Sequence, residues 1–178
     1  MSGSRKNTCK RLQCVERKLA MMQPELKHHR TSINDNVIAG TTSVWILNNM
    51  SQGDAVDERI GDRAKIKKIE FSVLVAGNNM DIYCVSPTDP NNVPSGSDLP
   101  TYSAGTFQPD EFKTYRQYLT RPEQQYINWT VNFPNGLITT YIPGATTIQR
   151  GSLYAVFHNQ TLNPIQISGH IRVWYTDA

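Results

Sequence analysis

The chain has 178 residues, of which 38% are hydrophobic and 19% charged, and its formal net charge at pH 7 is +3. This length suits one domain with its own core. No apolar run comes near the roughly 18–20 residues that cross a bilayer, so we expect no membrane insertion. The first residues lack the apolar segment of a signal peptide, and three cysteines without a pairing or metal-binding spacing indicate reduced thiols in an intracellular setting.

Charge is distributed unevenly along the chain. Residues 1–31 hold eight bases and two acids, a charge of +6, whereas residues 32–178 hold ten bases and thirteen acids, a charge of −3. The eight bases are Arg5, Lys6, Lys10, Arg11, Arg17, Lys18, Lys27 and Arg30. This contrast predicts a basic arm (1–31) that binds nucleic acid and a mildly acidic folded domain (32–178). A solvated terminus without a partner is the alternative.

The arm has a helical pattern. Asn7 or Thr8 is a candidate N-cap, and Pro24 ends the pattern after Met22. The apolar residues recur at three- and four-residue spacing and form one stripe: Leu12, Val15, Leu19 and Met22. Such a short basic helix is marginal alone in water and would gain stability from phosphates or from another subunit. A frayed terminal helix remains the alternative.

Beyond the arm the chain predicts strands and turns only. The predicted strands are Val37–Leu47, Lys65–Val75, Asp81–Ser86, Phe112–Leu119, Tyr126–Phe133, Leu137–Ile142, Leu153–His158 and Ile165–Tyr175. A shift in the alternation at Lys67-Lys68 predicts a β-bulge, and Pro134-Asn135-Gly136 predicts a turn between two strands. The proline-rich segment 87–109 predicts a long loop. Eight strands without intervening helices indicate an all-β sandwich or barrel.

Catalytic patterns are missing from the sequence. The four histidines, His28, His29, His158 and His170, do not have the spacing of a metal site, and no nucleophile elbow or phosphate-binding glycine loop occurs. Cys84 falls within a predicted strand, where a small buried apolar side chain is the simpler interpretation than a nucleophile. We therefore expect a protein that is not an enzyme.

A dense charged loop precedes the strand that begins near Lys65. Four acids cluster after Gly53, interleaved with two arginines: Asp54, Asp57, Glu58, Arg59, Asp62 and Arg63. Local ion pairs in a solvated loop would explain them, although such pairs contribute little at a surface. The sharper hypothesis is a subunit interface, where opposite charges of two chains meet or carboxylates from several chains share a hard cation such as Ca²⁺.

Two segments of the sequence resemble a known family. Gln52-Gly53-Asp54 followed by Arg59-Ile60-Gly61-Asp62 and a long alternating strand is similar to small single jelly-roll viral capsid proteins. These include the satellite tobacco necrosis virus coat protein and the capsid proteins of circular, Rep-encoding single-stranded DNA viruses. The ending Tyr175-Thr176-Asp177-Ala178 also matches the satellite virus protein. The resemblance spans nearly the whole chain but is specific only at these segments, and the loop 87–109 departs from it.

The resemblance implies an eight-stranded single jelly-roll that self-assembles, most simply as sixty copies (T=1), around single-stranded DNA or RNA. It places the charged loop at subunit contacts and implies Ca²⁺ ligands at Asp54, Asp177 and Glu25. It implies a virion location after assembly inside the host cell, and the pairs Arg5-Lys6 and Lys10-Arg11 fit a nuclear import signal. The host receptor is not readable from the sequence.

A jelly-roll module that binds carbohydrate or a receptor is the alternative function. Exposed aromatic rings could stack on sugars, and the candidates are Tyr102, Tyr115, Tyr118 and Tyr126. Packing within the sandwich or between subunits would account for the same tyrosines.

Overall fold

The computed structural model describes residues 25–53, 55, 57–77, 79–89, 91–95, 98, 111–120 and 125–178. Nine strands are present in these ranges: β1 (Lys27–Val37), β2 (Thr42–Ile46), β3 (Arg63–Ala76), β4 (Met80–Pro87), β5 (Phe112–Leu119), β6 (Gln125–Tyr141), β7 (Ile148–Arg150), β8 (Tyr154–Asn159) and β9 (Ile165–Asp177). None of the described ranges contains a helix that is long and apolar enough to cross a membrane. The helix predicted for the arm falls outside these ranges.

The strands form two antiparallel sheets with the order of a jelly-roll. The first sheet has the order β1-β9-β3-β6-β7 and the second has the order β2-β8-β4-β5. Apart from the three-residue strand β7, pairing runs from the ends of the chain inward: β1 with β9, β2 with β8, β3 with β6 and β4 with β5. A long ribbon of paired strands folded over itself produces this order. The predicted fold class, an all-β single jelly-roll sandwich, is confirmed.

The core lies between the two sheets and is built from alternate residues of each strand. On β3 the inward residues Ile69, Phe71 and Val73 are buried, and Phe71 stacks on Trp129 of β6 with ring centroids 3.9 Å apart. Each such side chain contributes about 1.5–3 kcal/mol when it leaves water. Cys84 is also buried in this core, and burial raises the pKa of its thiol to about 12. Its interpretation as an apolar core residue is therefore confirmed.

The predicted bulge in β3 is confirmed, and it explains a turn prediction that is wrong. Between β3 and β9, Ile66 pairs with Tyr175 and Lys68 with Trp174, so Lys67 is the extra residue. Against β6 the interruption is larger, because residues 133–136 lie opposite Lys67 alone. Pro134-Asn135-Gly136 therefore does not separate two strands. It lies within β6, where the hydrogen-bond ladder with β3 is already interrupted and a proline without an N–H can be accommodated.

The first strand begins inside the segment assigned to the arm. β1 starts at Lys27 and pairs with β9 over its whole length, whereas the sequence predicted a folded domain from residue 32 and no strand before Val37. The segment has no apolar pattern that predicts a strand, because it is polar and Ile33 and Val37 are its only buried apolar side chains. It is held as a strand by pairing with β9, which lies far away in sequence.

The second sheet has an apolar outer face. On the side that points away from the core, β4 and β8 present Tyr83, Val85, Tyr154 and Val156, all buried, and Phe112 of β5 belongs to the same cluster. Val44 and Ile46 of β2 are partly buried against it. The first sheet differs, because its outer rows are polar and partly exposed.

Candidate subunit and nucleic-acid interface

The charged loop between β2 and β3 is a small closed structure. Its ends meet at a bridge between Gln52 and Arg59, where the Gly53 N–H donates to the Arg59 carbonyl (3.1 Å) and the Arg59 N–H donates to the Ser51 carbonyl (3.0 Å). Gly61 lies two residues after the bridge and has a φ of +80°. This left-handed conformation costs a residue with a Cβ about 1–2 kcal/mol. The loop therefore has a defined shape within one chain.

Arg59 is the centre of that shape. Its side chain is fully buried, and its guanidinium group lies 3.8 Å above the ring of Tyr141. Nε donates to the Met50 carbonyl (3.3 Å), and the two terminal nitrogens donate to the carbonyls of Gly61 and Ala145. The planar guanidinium group has donors on three separate nitrogens, each of which contacts a different carbonyl here, whereas a lysine has all its donors on one nitrogen. The loop, the turn after β6 and the start of β3 are thereby joined.

This position corrects the interface assignment of Arg59. The sequence predicted that Arg59 pairs with acids of a neighbouring subunit, but its donors are already used by carbonyls of its own chain. Among the described carboxylates, that of Asp62 lies 3.8 Å from its guanidinium group. A side chain with no exposed surface cannot contact another chain without unfolding the loop.

Lys27 and Asp177 join the two ends of the described chain. The Lys27 ammonium lies 3.1 Å from one oxygen of Asp177 and donates to the Glu58 carbonyl at 3.0 Å. The other Asp177 oxygen accepts from the Ile60 N–H at 2.8 Å. We call Lys27, Arg59 and Asp177 the clasp, because together they hold the loop against β1, β6 and β9.

The clasp also corrects one nucleic-acid assignment. Lys27 is only 4% exposed, and its charge is paired internally, so it does not present a free cation to phosphate. Arg30, three residues further along β1, is exposed. The other six predicted nucleic-acid-binding residues, Arg5, Lys6, Lys10, Arg11, Arg17 and Lys18, lie outside the described residues and stay predictions.

The remaining charges of the loop differ in their availability. Asp57 and Arg63 are exposed, and the Asp62 side chain is 43% exposed. Glu58 accepts from the Ala55 N–H (3.1 Å) and the Ser51 hydroxyl (3.3 Å), so it stabilises the loop itself. Asp57, Asp62 and Arg63 therefore remain the candidates for contact with another subunit. Asp54 lies outside the described residues.

The carboxylates of this region shift the pKa values of two neighbouring residues, Tyr175 and His29. Burial raises the pKa of the Tyr175 hydroxyl, and the carboxylates of Asp177, Asp57 and Glu58 raise it further. Burial lowers the pKa of His29, and the Asp57 carboxylate opposes that shift. These carboxylates therefore lie near Tyr175, and the Arg59 guanidinium opposes their effect on its pKa.

The described residues do not form a calcium site within one chain. No group of three or more His, Cys, Asp or Glu side chains in the described ranges is placed to hold a metal ion. Both oxygens of Asp177 already have partners, one of them the Lys27 ammonium, which a cation would have to displace. Glu25 is exposed. A calcium site that uses Asp54, Asp177 and Glu25 stays a prediction and would need ligands from other chains.

The residues considered for sugar binding and for catalysis are dispersed. Tyr126 is 64% exposed, whereas Tyr115 and Tyr118 pack against the core and Tyr102 lies outside the described residues. His158 belongs to β8 in the second sheet and His170 to β9 in the first. These two histidines therefore do not converge on one ion.

Several partners of Arg59 carry no signal in the sequence. The acceptors of Arg59 are main-chain carbonyls at residues 50, 61 and 145, which any residue type could provide. Tyr141 was predicted only as part of a strand. The one available signal is Gly61, two residues after Arg59, and it does not distinguish a buried arginine from an exposed one.

Comparisons with known proteins add little to this geometry. No protein-family model matches the chain, and no curated protein matches it either. Among solved structures the chain is similar to one titled Desmodium yellow mottle tymovirus, with 9% sequence identity and a TM-score of 0.37, over 85% of this chain and 88% of that chain. A TM-score this low carries no argument, so the fold assignment depends on the strand order described above.

Proposed function

We propose that this protein is a viral capsid subunit that assembles into a small icosahedral shell, most simply of sixty copies, and packages single-stranded DNA or RNA through residues 1–31. The observation that carries the proposal is the segregation of charge on a jelly-roll chain. Six bases of the first eighteen residues precede a sandwich whose own net charge is negative. The resemblance of the Gln52–Asp54, Arg59–Asp62 and Tyr175–Ala178 segments to capsid proteins supports it.

The proposed role needs no catalysis. A compact sandwich with polar loops at its ends can repeat around symmetry axes and close a shell. The basic arm would neutralise phosphates, releasing their counterions, so that packaging would be largely independent of base sequence and weakened by salt. The virion is the proposed location, and nuclear entry through the basic pairs of the arm stays a prediction.

Negative-stain electron microscopy of the full chain, with absorbance at 260 and 280 nm on the same fraction, tests the proposal. We expect uniform closed particles with excess absorbance at 260 nm. A variant with Gln at Arg5, Lys6, Lys10, Arg11, Arg17 and Lys18 should keep the fold and lose most of the nucleic acid. Small oligomers without nucleic acid, across several salt and calcium conditions, would overturn the proposal and favour the carbohydrate- or receptor-binding module.

A further inference from the structure

The outer face of the first sheet carries three consecutive rows of polar and aromatic side chains. Residues that pair directly on neighbouring antiparallel strands point to the same side of the sheet. From β1 through β9 and β3 to β6, the rows are His28–Trp174–Lys68–Asn132, Arg30–Arg172–Glu70–Thr130 and Ser32–His170–Ser72–Asn128. We call these twelve positions the cationic face. Successive rows lie about 7 Å apart along the strands.

The cationic face has an unbalanced charge. It holds three permanent cations, Arg30, Lys68 and Arg172, and a single anion, Glu70, which is a net charge of +2 with both histidines neutral. Lys68 lies 2.6 Å and Arg172 3.7 Å from the Glu70 carboxylate. One carboxylate is thus shared by two cations, and Arg30 forms no ion pair with any described carboxylate.

Two arginines are direct neighbours on this face. Arg30 of β1 pairs in register with Arg172 of β9, and like charges opposite each other on adjacent strands destabilise a sheet. The Arg172 Nε is buried and has no hydrogen-bond partner among the described residues. Burial lowers the pKa of His170 in the next row, and both guanidinium groups lower it further. An anion placed over this pair would relieve the repulsion between the two guanidinium groups.

An aromatic platform lies beside the arginine pair. The Trp174 indole N–H donates to Glu70 at 2.7 Å, which fixes the orientation of the ring. The His28 ring lies 5.1 Å from the Trp174 ring at a tilt of 40°, and the Lys68 ammonium lies 4.6 Å from the ring centroid. Trp174 and His28 are both partly exposed. Cations next to a partly exposed aromatic pair are the combination that single-stranded nucleic acids recognise.

We propose that the cationic face is a second binding site for single-stranded nucleic acid, in which Arg30 and Arg172 contact phosphate and Trp174 with His28 contacts a base. Charge selects this occupant, because a polyanion complements a surface of net charge +2 whereas a neutral sugar gains nothing from adjacent guanidinium groups. The outer face of the second sheet is apolar and offers no such site. The identity of the ligand rests on the proposed function, but the site lies on the sheet: Arg30 belongs to β1, and none of the six bases at positions 5–18 is part of it.

Binding of a fluorescein-labelled oligothymidylate to the full chain, dissociated and freed of nucleic acid in high salt, tests the site. The probe is titrated by anisotropy at several salt concentrations. The face variant is R30Q/R172Q, and the control variant is K113Q/R116Q, which removes the same charge from two exposed residues of β5 in the second sheet. Each pair is also made in the protein whose six arm bases are Gln, so that the contribution of the arm is removed.

We expect R30Q/R172Q to weaken binding about tenfold at low salt and to reduce the slope of log K against log salt by about 1.4, because two phosphate contacts are lost. K113Q/R116Q should leave the slope unchanged. The melting temperature of R30Q/R172Q should be equal to or above that of the parent, because a repulsive pair is removed; a purely structural role would lower it. Oligothymidylate should also quench tryptophan emission, and W174F should abolish that quenching while Trp45 and Trp129 remain.

The outcomes separate this site from the proposed function. If the parent assembles and packages nucleic acid while R30Q/R172Q binds like K113Q/R116Q in both arm backgrounds, the cationic face is not a binding site and the capsid proposal stands. If the parent neither assembles nor binds nucleic acid, the proposed function has failed at the first step. If the arm-neutralised protein retains binding that R30Q/R172Q removes, the face binds independently of the arm.

Discussion

The basic side chains of the clasp and those of the cationic face are the same residue types in opposite situations. Arg59 and Lys27 are buried and use their donors on carbonyls and one carboxylate of their own chain. Arg30 and Arg172 lie side by side on an outer surface, and the buried Nε of Arg172 has no hydrogen-bond partner among the described residues. The cations of the clasp have acceptors on their own chain, whereas Arg30 of the face forms no ion pair with a described carboxylate. A cation whose partners are internal contributes to stability, and one whose partners are missing is available to a ligand.

Lys27 and Arg30 show that a buried, paired cation and an exposed one can lie close together in the sequence. They are three residues apart, and on a helix they would share a face. On β1 an odd separation places them on opposite sides of the sheet, so Lys27 points inward to Asp177 and Arg30 outward beside Arg172. The prediction that both bind nucleic acid assumed that residues 1–31 form one arm. The pairing of β1 with β9 instead places the two side chains on opposite sides of the sheet.

The largest expected effect is the loss of Arg59. R59M removes the donors to three buried carbonyls and the contact with Tyr141, and we expect it to lower the free energy of unfolding by about 3–5 kcal/mol. Urea denaturation of the dissociated subunit measures this change. R63M is the matched control, since Arg63 is exposed. Equal midpoints for R59M and R63M would mean that the buried guanidinium does not stabilise the loop.

A smaller effect is expected for the other half of the clasp. K27M keeps the apolar stem and removes the charge from Asp177, which should cost about 1–2 kcal/mol because the carboxylate keeps the Ile60 N–H. D177N should cost a similar amount. In a double-mutant cycle, K27M/D177N should cost less than the two single changes together. Strict additivity would show that Lys27 and Asp177 do not interact in solution.

On the cationic face the removal of an acid should act on binding more than on stability. E70Q removes the single carboxylate that neutralises Lys68 and Arg172. We expect oligothymidylate affinity to rise a few-fold and the salt slope to steepen, with a stability change below about 1 kcal/mol. The anisotropy titration described above measures both quantities. Weaker binding in E70Q would indicate that Glu70 is needed to position Trp174, and would count against a purely electrostatic face.

The smallest effect is the titration of His170. Burial and the guanidinium groups of Arg30 and Arg172 hold the pKa of His170 below its ordinary value of 6.5. Because the unfolded chain then binds the proton more readily, stability from neutral His170 is full above pH 6.5 and is lost as the pH falls through the lowered pKa. An NMR titration of the ring should show this lowered pKa, and R30Q/R172Q should raise it. An identical His170 pKa in the parent and in R30Q/R172Q would show that the two arginines do not influence the titration of His170.

The sequence by itself determined most of the strands and the class of the fold. Phe112–Leu119 was predicted with the bounds that the structure has, and the register shift at Lys67 was readable from β3 alone. Alternation of apolar and polar residues is a local property, so it survives without knowledge of any partner strand. The order of the strands, by contrast, is set by pairs that are distant along the chain.

Only the tertiary structure decided which charged residues are buried and which are available. β1 is too polar for its sequence to predict a strand, and the sequence around Pro134 predicts two strands where the structure has one. In both cases the strand is defined by its pairing with a distant strand, β9 for β1 and β3 for β6. Arg59, Lys27 and Asp177 come from three distant segments, and nothing in their local sequence distinguishes them from solvated charges. The cationic face likewise exists only because register aligns Arg30, Arg172 and Glu70 across three strands. Burial and register depend on residues far apart in sequence, which is why composition identified a basic protein without locating its free charges.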